Sequence, residues 1–157
     1  MSFSIPFVRQ TNWFSSVPQL LLMMVFVAGF YLAGSKEYIM YGAATYLVVS
    51  LVLKNVLARQ HRRGISLVKQ SRFVEAIPCF ANSYSFFTRN EWVDKYRFIT
   101  MLSSSQMNYR EMALCNIGFC YGQVGNRHQA IEYYEKALHE YPENSLAKAS
   151  LAMLYAE

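Results

Sequence analysis

The sequence predicts an all-α chain in which an N-terminal transmembrane helical hairpin precedes a short α-solenoid. Three observations predict it. Two runs without a charged residue, 17–34 and 38–53, stand side by side near the start. Residues 111–144 place apolar side chains at helical spacing on both sides of a Gly125-Asn126 turn. A weaker copy of that pattern fills residues 57–90. Composition agrees, since 54% of the 157 residues are hydrophobic and only 16% charged, more apolar than one ordinary soluble domain of this length.

Residues 1–16 form a short polar-aromatic tail whose Trp13 and Phe14 suit the headgroup level of a membrane. The hairpin occupies residues 17–57. Its first run, VPQLLLMMVFVAGFYLAG, has Pro18 where a first helical turn tolerates it. Gly34-Ser35-Lys36-Glu37 makes the turn, and YIMYGAATYLVVSLVL follows. Each run lies near the short end of the ~17–25 residues that span a hydrocarbon core. Two such runs in succession argue against two core helices of a soluble protein. A cleaved signal peptide at the first run would still leave the second in the membrane. Small residues Ala28, Gly29, Ala33 and Gly34 on one run and Gly42, Ala43 and Ala44 on the other are expected to let the helices pack closely. Neither run carries a charge in its middle, which removes the usual marker of an ion or proton pathway and argues against a transporter.

The formal net charge of +5 comes largely from the residues after the second run. Lys54, Arg59, Arg62 and Arg63 are expected to continue helically out of the membrane and to meet anionic lipid heads, each contributing ~1 kcal/mol. The turn offers only Lys36, balanced by Glu37. The positive-inside rule then puts both termini in the cytoplasm, as in an integral two-pass protein of a bacterial inner membrane. The basic patch is short and lacks interleaved aromatics, so no nucleic-acid partner is expected.

Residues 58–157 read as one helical domain. Within 57–90, Gly64, Leu67, Ala76-Ile77, Phe80 and Ser83 keep the mutual spacing of Gly118, Tyr121, Ala130-Ile131, Tyr134 and Ala137, a step of 54 positions. Pro78 is expected to kink the second helix of this unit, and its first helix to be fused to the second membrane helix. The insertion at 91–110 offers an apolar helical face in Trp92, Val93, Tyr96, Ile99, Met101 and Leu102 that either covers the seam between the two units or serves as a binding surface. Ser103-Ser104-Ser105 ends it or caps the next helix. Pro142 closes the unit at 111–144, and 145–157 reads as a terminal helix that is apolar over much of its surface.

Residues 111–144 resemble a tetratricopeptide repeat (TPR), a 34-residue helix–turn–helix unit. Leu114, Ile117, Gly118, Tyr121, Ala130, Tyr134, Ala137 and Pro142 fill the pattern in register, with Leu114 where Trp is common and Ile117 where Leu is common. The resemblance makes the solenoid TPR-like, with about two repeats plus a terminal helix, and 57–90 as a divergent first repeat. It also implies protein recognition: a peptide or partner helix held on a concave face lined by first helices. That face would carry Met112, Cys115, Phe119, Gly122 and Gln123. Family members that grip a C-terminal carboxylate have Lys and Asn at the positions of Cys115 and Phe119, so a hydrophobic ligand fits better. Phe119→Glu is expected to abolish capture without unfolding the domain.

No enzyme constellation, cofactor motif or metal-ligand spacing stands out. Cys79, Cys115 and Cys120 form no CxxC and sit at helical positions like small apolar residues. His61, His128 and His139 are scattered, and the last two read as surface residues. Glu132 and Lys136 form an i,i+4 pair, with Glu135 and Glu140, on an exposed helix side. The expected role is non-catalytic: an adaptor, scaffold or assembly factor that holds a protein partner at the membrane. The alternatives are a structural membrane subunit whose hairpin homo-oligomerises, or a non-catalytic subunit or regulator of a membrane enzyme complex.

Overall fold

A computed structural model describes residues 16–97, 105 and 107–156, and its regular elements are all helices. The tail before residue 16, together with Ile99, Met101, Leu102, Ser103, Ser104, Glu157 and the Lys54 side chain, lies outside the described residues.

Helices α1 (Ser16–Leu32) and α2 (Tyr38–Leu57) pack on each other as a hairpin. Gly34, at φ +75°, closes α1 with paired bonds from its own N–H to Tyr31 O and from Ser35 N–H to Phe30 O. The Phe30–Tyr41 and Tyr31–Tyr38 rings cover the turn at centroid distances of 5.9 and 5.2 Å. The seam is narrower than the small-residue pattern predicts. Of the three glycines in the hairpin's small-residue pattern, Gly42 is pressed against the opposite helix, where an added Cβ would lie 2.6 Å from Val27 Cα, while a Cβ on Gly29 or Gly34 would meet nothing within 4 Å. Leu21, Met24 and Val25 on α1 and Ile39, Leu47, Val48 and Val56 on α2 stay exposed at 57–66%. A soluble core helix would bury them.

Helix α2 stops at Leu57, and Ala58 (φ −98°, ψ 19°) separates it from α3 (Arg59–Lys69). The first repeat helix is therefore a separate element and not a continuation of the apolar one. At the break Ala58 is buried in a small core with Phe87 and Val93, against which Leu57 and Tyr109 pack.

Helix α3 pairs with α4 (Phe73–Arg89), and α6 (Tyr109–Gln123) pairs with α7 (Arg127–Glu140). The short α5 (Glu91–Lys95) lies between the pairs, and α8 (Ser145–Ala156) packs on α7. The 54-position step holds in three dimensions. A Cβ on Gly64 would strike the Phe80 ring at 2.7 Å, and one on Gly118 would meet the Tyr134 ring at 3.1 Å. Ala76 and Ala130 are wholly buried at matching points, as are Ser83 and Ala137. Each pair turns through the same bonding pattern: Ser71 N–H to Val68 O and Arg72 N–H to Leu67 O in one, Gly125 N–H to Gly122 O and Asn126 N–H to Tyr121 O in the other. The two turns differ in cost. Gly125 takes φ +78° freely, whereas Ser71 holds φ 58° with a Cβ in the left-handed region.

The pairs stack with α4 against α6. Leu67, Val68, Ala76, Cys79 and Phe80 meet Ile117 and Cys120 in one core. Leu114, Cys115, Tyr134 and Ala137 meet Ala147 and Leu151 of α8 in the next. Helix α4 runs unbroken through Pro78, which sits on its exposed side. Within the insertion the described residues include the one-turn helix α5. Of the apolar face expected there, Val93 is buried beside Asp94, while Trp92 and Tyr96 face outward.

Candidate partner-binding face

Helix starts in the second unit are set by three asparagines. Asn108 Oδ1 accepts from Glu111 N–H at 2.8 Å, Asn126 Oδ1 from Gln129 N–H at 3.2 Å, and Asn144 Oδ1 from Ala147 N–H at 2.7 Å. The cap of α6 is thus Asn108 and not the serine run, and Ser105 Oγ instead donates to Met107 O. A capping asparagine satisfies an N–H that has no partner within the helix. Asn144 reaches further, its Nδ2 donating to Glu111 Oε1 at 3.0 Å and to Cys115 Sγ at 3.2 Å. The first unit has no such side chain: Ala58 precedes α3 and Arg72 precedes α4. There Arg72 pairs with Glu75 across the first turn instead.

A second clamp on α6 comes from the insertion. Asp94 is 3% exposed, and its carboxylate accepts from Tyr109 N–H at 2.7 Å and Arg110 N–H at 3.0 Å. Burial pushes its pKa up, against the pull of those two donors and of the Arg97 and Arg110 charges. Arg110 then ties three elements together, bonding Glu91 at 2.6 Å and Glu140 at 3.0 Å. Glu140 also accepts from the Tyr84 hydroxyl, and Lys136 Nζ sits 4.6 Å from the Tyr84 ring centroid. The expected Glu132–Lys136 pairing is replaced: Lys136 turns to Tyr84, and Glu132 accepts from Gln129 Nε2 at 2.7 Å. Glu140 likewise leaves the exposed side of α7 for the Arg110 network.

Of the five residues expected on the concave face, Cys115 is withdrawn into the core, and the other four range from half-buried to exposed. Cys115 is 2% exposed, enclosed by α8 and Asn144, and its thiol is pushed up to about 12 chiefly by burial. It is core, and so is Cys120, raised to about 12 by burial as well. Met112 is half-buried, with Ser105 Oγ 3.9 Å from its sulfur. Phe119 is half-buried against the first core, its ring edge-on to Phe73 at 6.0 Å. Phe119→Glu would therefore strike packing as well as any ligand. A Cβ at Gly122 would point to Ala130 Cβ at 4.0 Å, toward α7, and Gln123 is exposed.

The signature residues do converge. Leu114, Gly118, Ala130, Tyr134 and Ala137 are buried between α6 and α7, Ile117 is buried toward α3 and α4, Tyr121 stacks on Tyr133 at 5.6 Å, and Pro142 is exposed just past the end of α7. Burial raises the Tyr134 hydroxyl to about 12, opposed by its bond to Ser150.

His61 was legible only as a scattered histidine, yet it is core. It is 6% exposed, with Nδ1 3.3 Å from Ser83 Oγ and edge-on rings from Phe80 and Tyr109 at 5.3 and 5.1 Å. Burial lowers its pKa to about 4, so the ring is neutral at pH 7. His128 and His139 are exposed. Among the described residues no group of His, Cys, Asp or Glu is arranged to hold a metal ion.

Residues 112–144 match the tetratricopeptide repeat family model. No curated protein matches the chain, and no solved structure does. The match falls on α6, the Gly125 turn and α7, where the buried signature was found. That segment is similar to a tetratricopeptide repeat, a fold element that suggests protein–protein interaction.

Proposed function

We propose that this chain is a membrane-anchored interaction protein: α1 and α2 span a bilayer, and the TPR-like repeats hold a protein partner beside it on the cytoplasmic side. One observation carries the anchoring half. Helix α2 is 20 residues long and apolar enough to cross a membrane, yet only 12% of its apolar window is buried inside the protein. A contiguous apolar surface left facing outward marks a membrane or protein contact, and two adjacent apolar helices favour the membrane. Helix α1 is the shorter apolar partner, and its exposed Leu21, Met24 and Val25 call for the same environment. Exposed Arg59, Arg62 and Arg63 follow directly after α2, which supports the cytoplasmic orientation.

The interaction half rests on the repeat. With Cys115 in the core and Phe119 on Phe73, the exposed Gln123 is the sound place to probe for a partner on α6. The test of anchoring is fractionation of the full-length chain: it should stay in the membrane pellet after an alkaline carbonate wash. Release into the supernatant would refute the anchor.

A further inference from the structure

The insertion has an aromatic side chain that its structural work does not use. Helix α5 holds α6 through Asp94 and packs its Val93 with Ala58 and Phe87. Trp92, just before both along the chain, is 62% exposed. A ring of this size on the outside of a one-turn helix leaves much apolar area in contact with solvent.

Topology places that ring at one end of the repeats. The first turn, at Ser71, is the far end of the α3–α4 pair, so α4 comes back and finishes beside the residue where α3 began. That residue is Ala58, the one immediately after α2. Leu57 itself packs against the Phe87–Val93 cluster. The corner made by the end of α4 and by α5 is therefore fixed next to the point where the apolar helix stops. Phe86, at 36% exposure, belongs to the same corner. Arg89 and Lys95 stand exposed on either side of Trp92 along the chain. The two acidic groups here are engaged elsewhere, Glu91 with Arg110 and Asp94 with the backbone of α6. Apart from Glu91, which is 68% exposed but bonded to Arg110, what the corner presents outward is aromatic and cationic, the combination that partitions to the headgroup level of an anionic bilayer.

We infer that the α4–α5 corner is a second membrane contact: Trp92 and Phe86 seat in the headgroup region beside the exit of α2, with Arg89 and Lys95 against anionic lipid. The inference rests on the proposed embedding of α1 and α2. The contact gives the insertion a purpose, since it fixes the tilt of the repeats over the bilayer while its buried side clamps α6.

The chain has two tryptophans, Trp13 and Trp92, so Trp13→Phe leaves Trp92 as the sole reporter. That full-length variant is reconstituted in phosphatidylcholine vesicles with and without phosphatidylglycerol, brominated either near the headgroup or deep in the acyl chains. Flotation in a density gradient is scored separately. Shallow bromine should quench Trp92 emission at least about twofold more than deep bromine, and more strongly when phosphatidylglycerol is present. Flotation with no bromine quenching and full access of iodide to Trp92 overturns the corner contact while leaving the anchor intact. Equal quenching with and without the anionic lipid overturns the part given to Arg89 and Lys95. Failure to float overturns the anchor and the contact with it.

Discussion

Asp94→Ala removes the carboxylate that holds the start of α6. Two backbone donors lose their acceptor at once, Tyr109 N–H at 2.7 Å and Arg110 N–H at 3.0 Å. A hydrogen bond to a charged group contributes about 1.5–3 kcal/mol net, and an anion at a helix N-terminus adds about 0.3–1 kcal/mol. Burial of the charge opposes this, as the upward shift of its pKa shows. Water can also reach part of the freed helix end. The net loss is then about 2 kcal/mol, which lowers the melting temperature of a domain of this size by about 10 °C. Val93 remains packed with Ala58 and Phe87, so α5 stays attached and the change reports the cap. Asp94→Asn keeps an oxygen for one donor but sets an amide N–H against the other, and its effect should fall between. The assay is thermal melting of the full-length chain in mild detergent, followed by circular dichroism. An Asp94→Ala protein that melts within about 2 °C of the unaltered one would refute the clamp, because even one lost bond of this kind shifts the midpoint further.

Three more outcomes follow from the same geometry. Ser71→Gly should stabilise the repeats by about 0.5–1 kcal/mol in the same assay, since the left-handed penalty of a side chain outweighs the entropy of glycine; no gain would mean that the Ser71 turn is not strained. Gly42→Ala should weaken the hairpin by about 1–3 kcal/mol against sodium dodecyl sulfate, whereas Gly29→Ala, with open space at its Cβ, should not; equal effects would contradict the Val27–Gly42 seam. The third outcome concerns pH. The folded pKa of His61 is lowered from 6.5 to about 4, so its contribution is fully present above pH 6.5 and is lost as pH falls through 4. The loss amounts to at most about 3 kcal/mol. Melting curves across that range should fall more steeply for the unaltered chain than for His61→Gln, and parallel curves would contradict a buried neutral ring.

Much of this fold is written in local pattern. Gly118 and Tyr134, or Gly64 and Phe80, are spaced so that a ring from one helix covers the bare backbone of the other, and that spacing survives the divergence of the first unit. The apolar runs of α1 and α2 are equally plain, since nothing in them is polar enough to disguise the helix. Caps were there to be read as well: Asn108 precedes Glu111 by three residues, in the manner of a capping box. What pattern cannot reveal is long-range pairing. Asp94 reaches Tyr109 and Arg110 across the insertion, and His61 finds Ser83 on the next helix. Cys115 illustrates the limit for the candidate site. The family pattern puts its position on an open face, but α8 and Asn144 close over it here. Only the packing of the terminal helix decides whether a first-helix residue lines a groove or a core.

In the proposed arrangement the hairpin spans a membrane and holds the repeats on its cytoplasmic face. Topology reporters test it most directly, one fused after Glu157 and one inserted between Ser35 and Lys36 of the turn. A reporter active only in the cytoplasm should work at Glu157 and fail in the turn, and one active only outside should show the reverse. Cytoplasmic activity at both positions would contradict the spanning hairpin, and external activity at Glu157 would contradict the orientation.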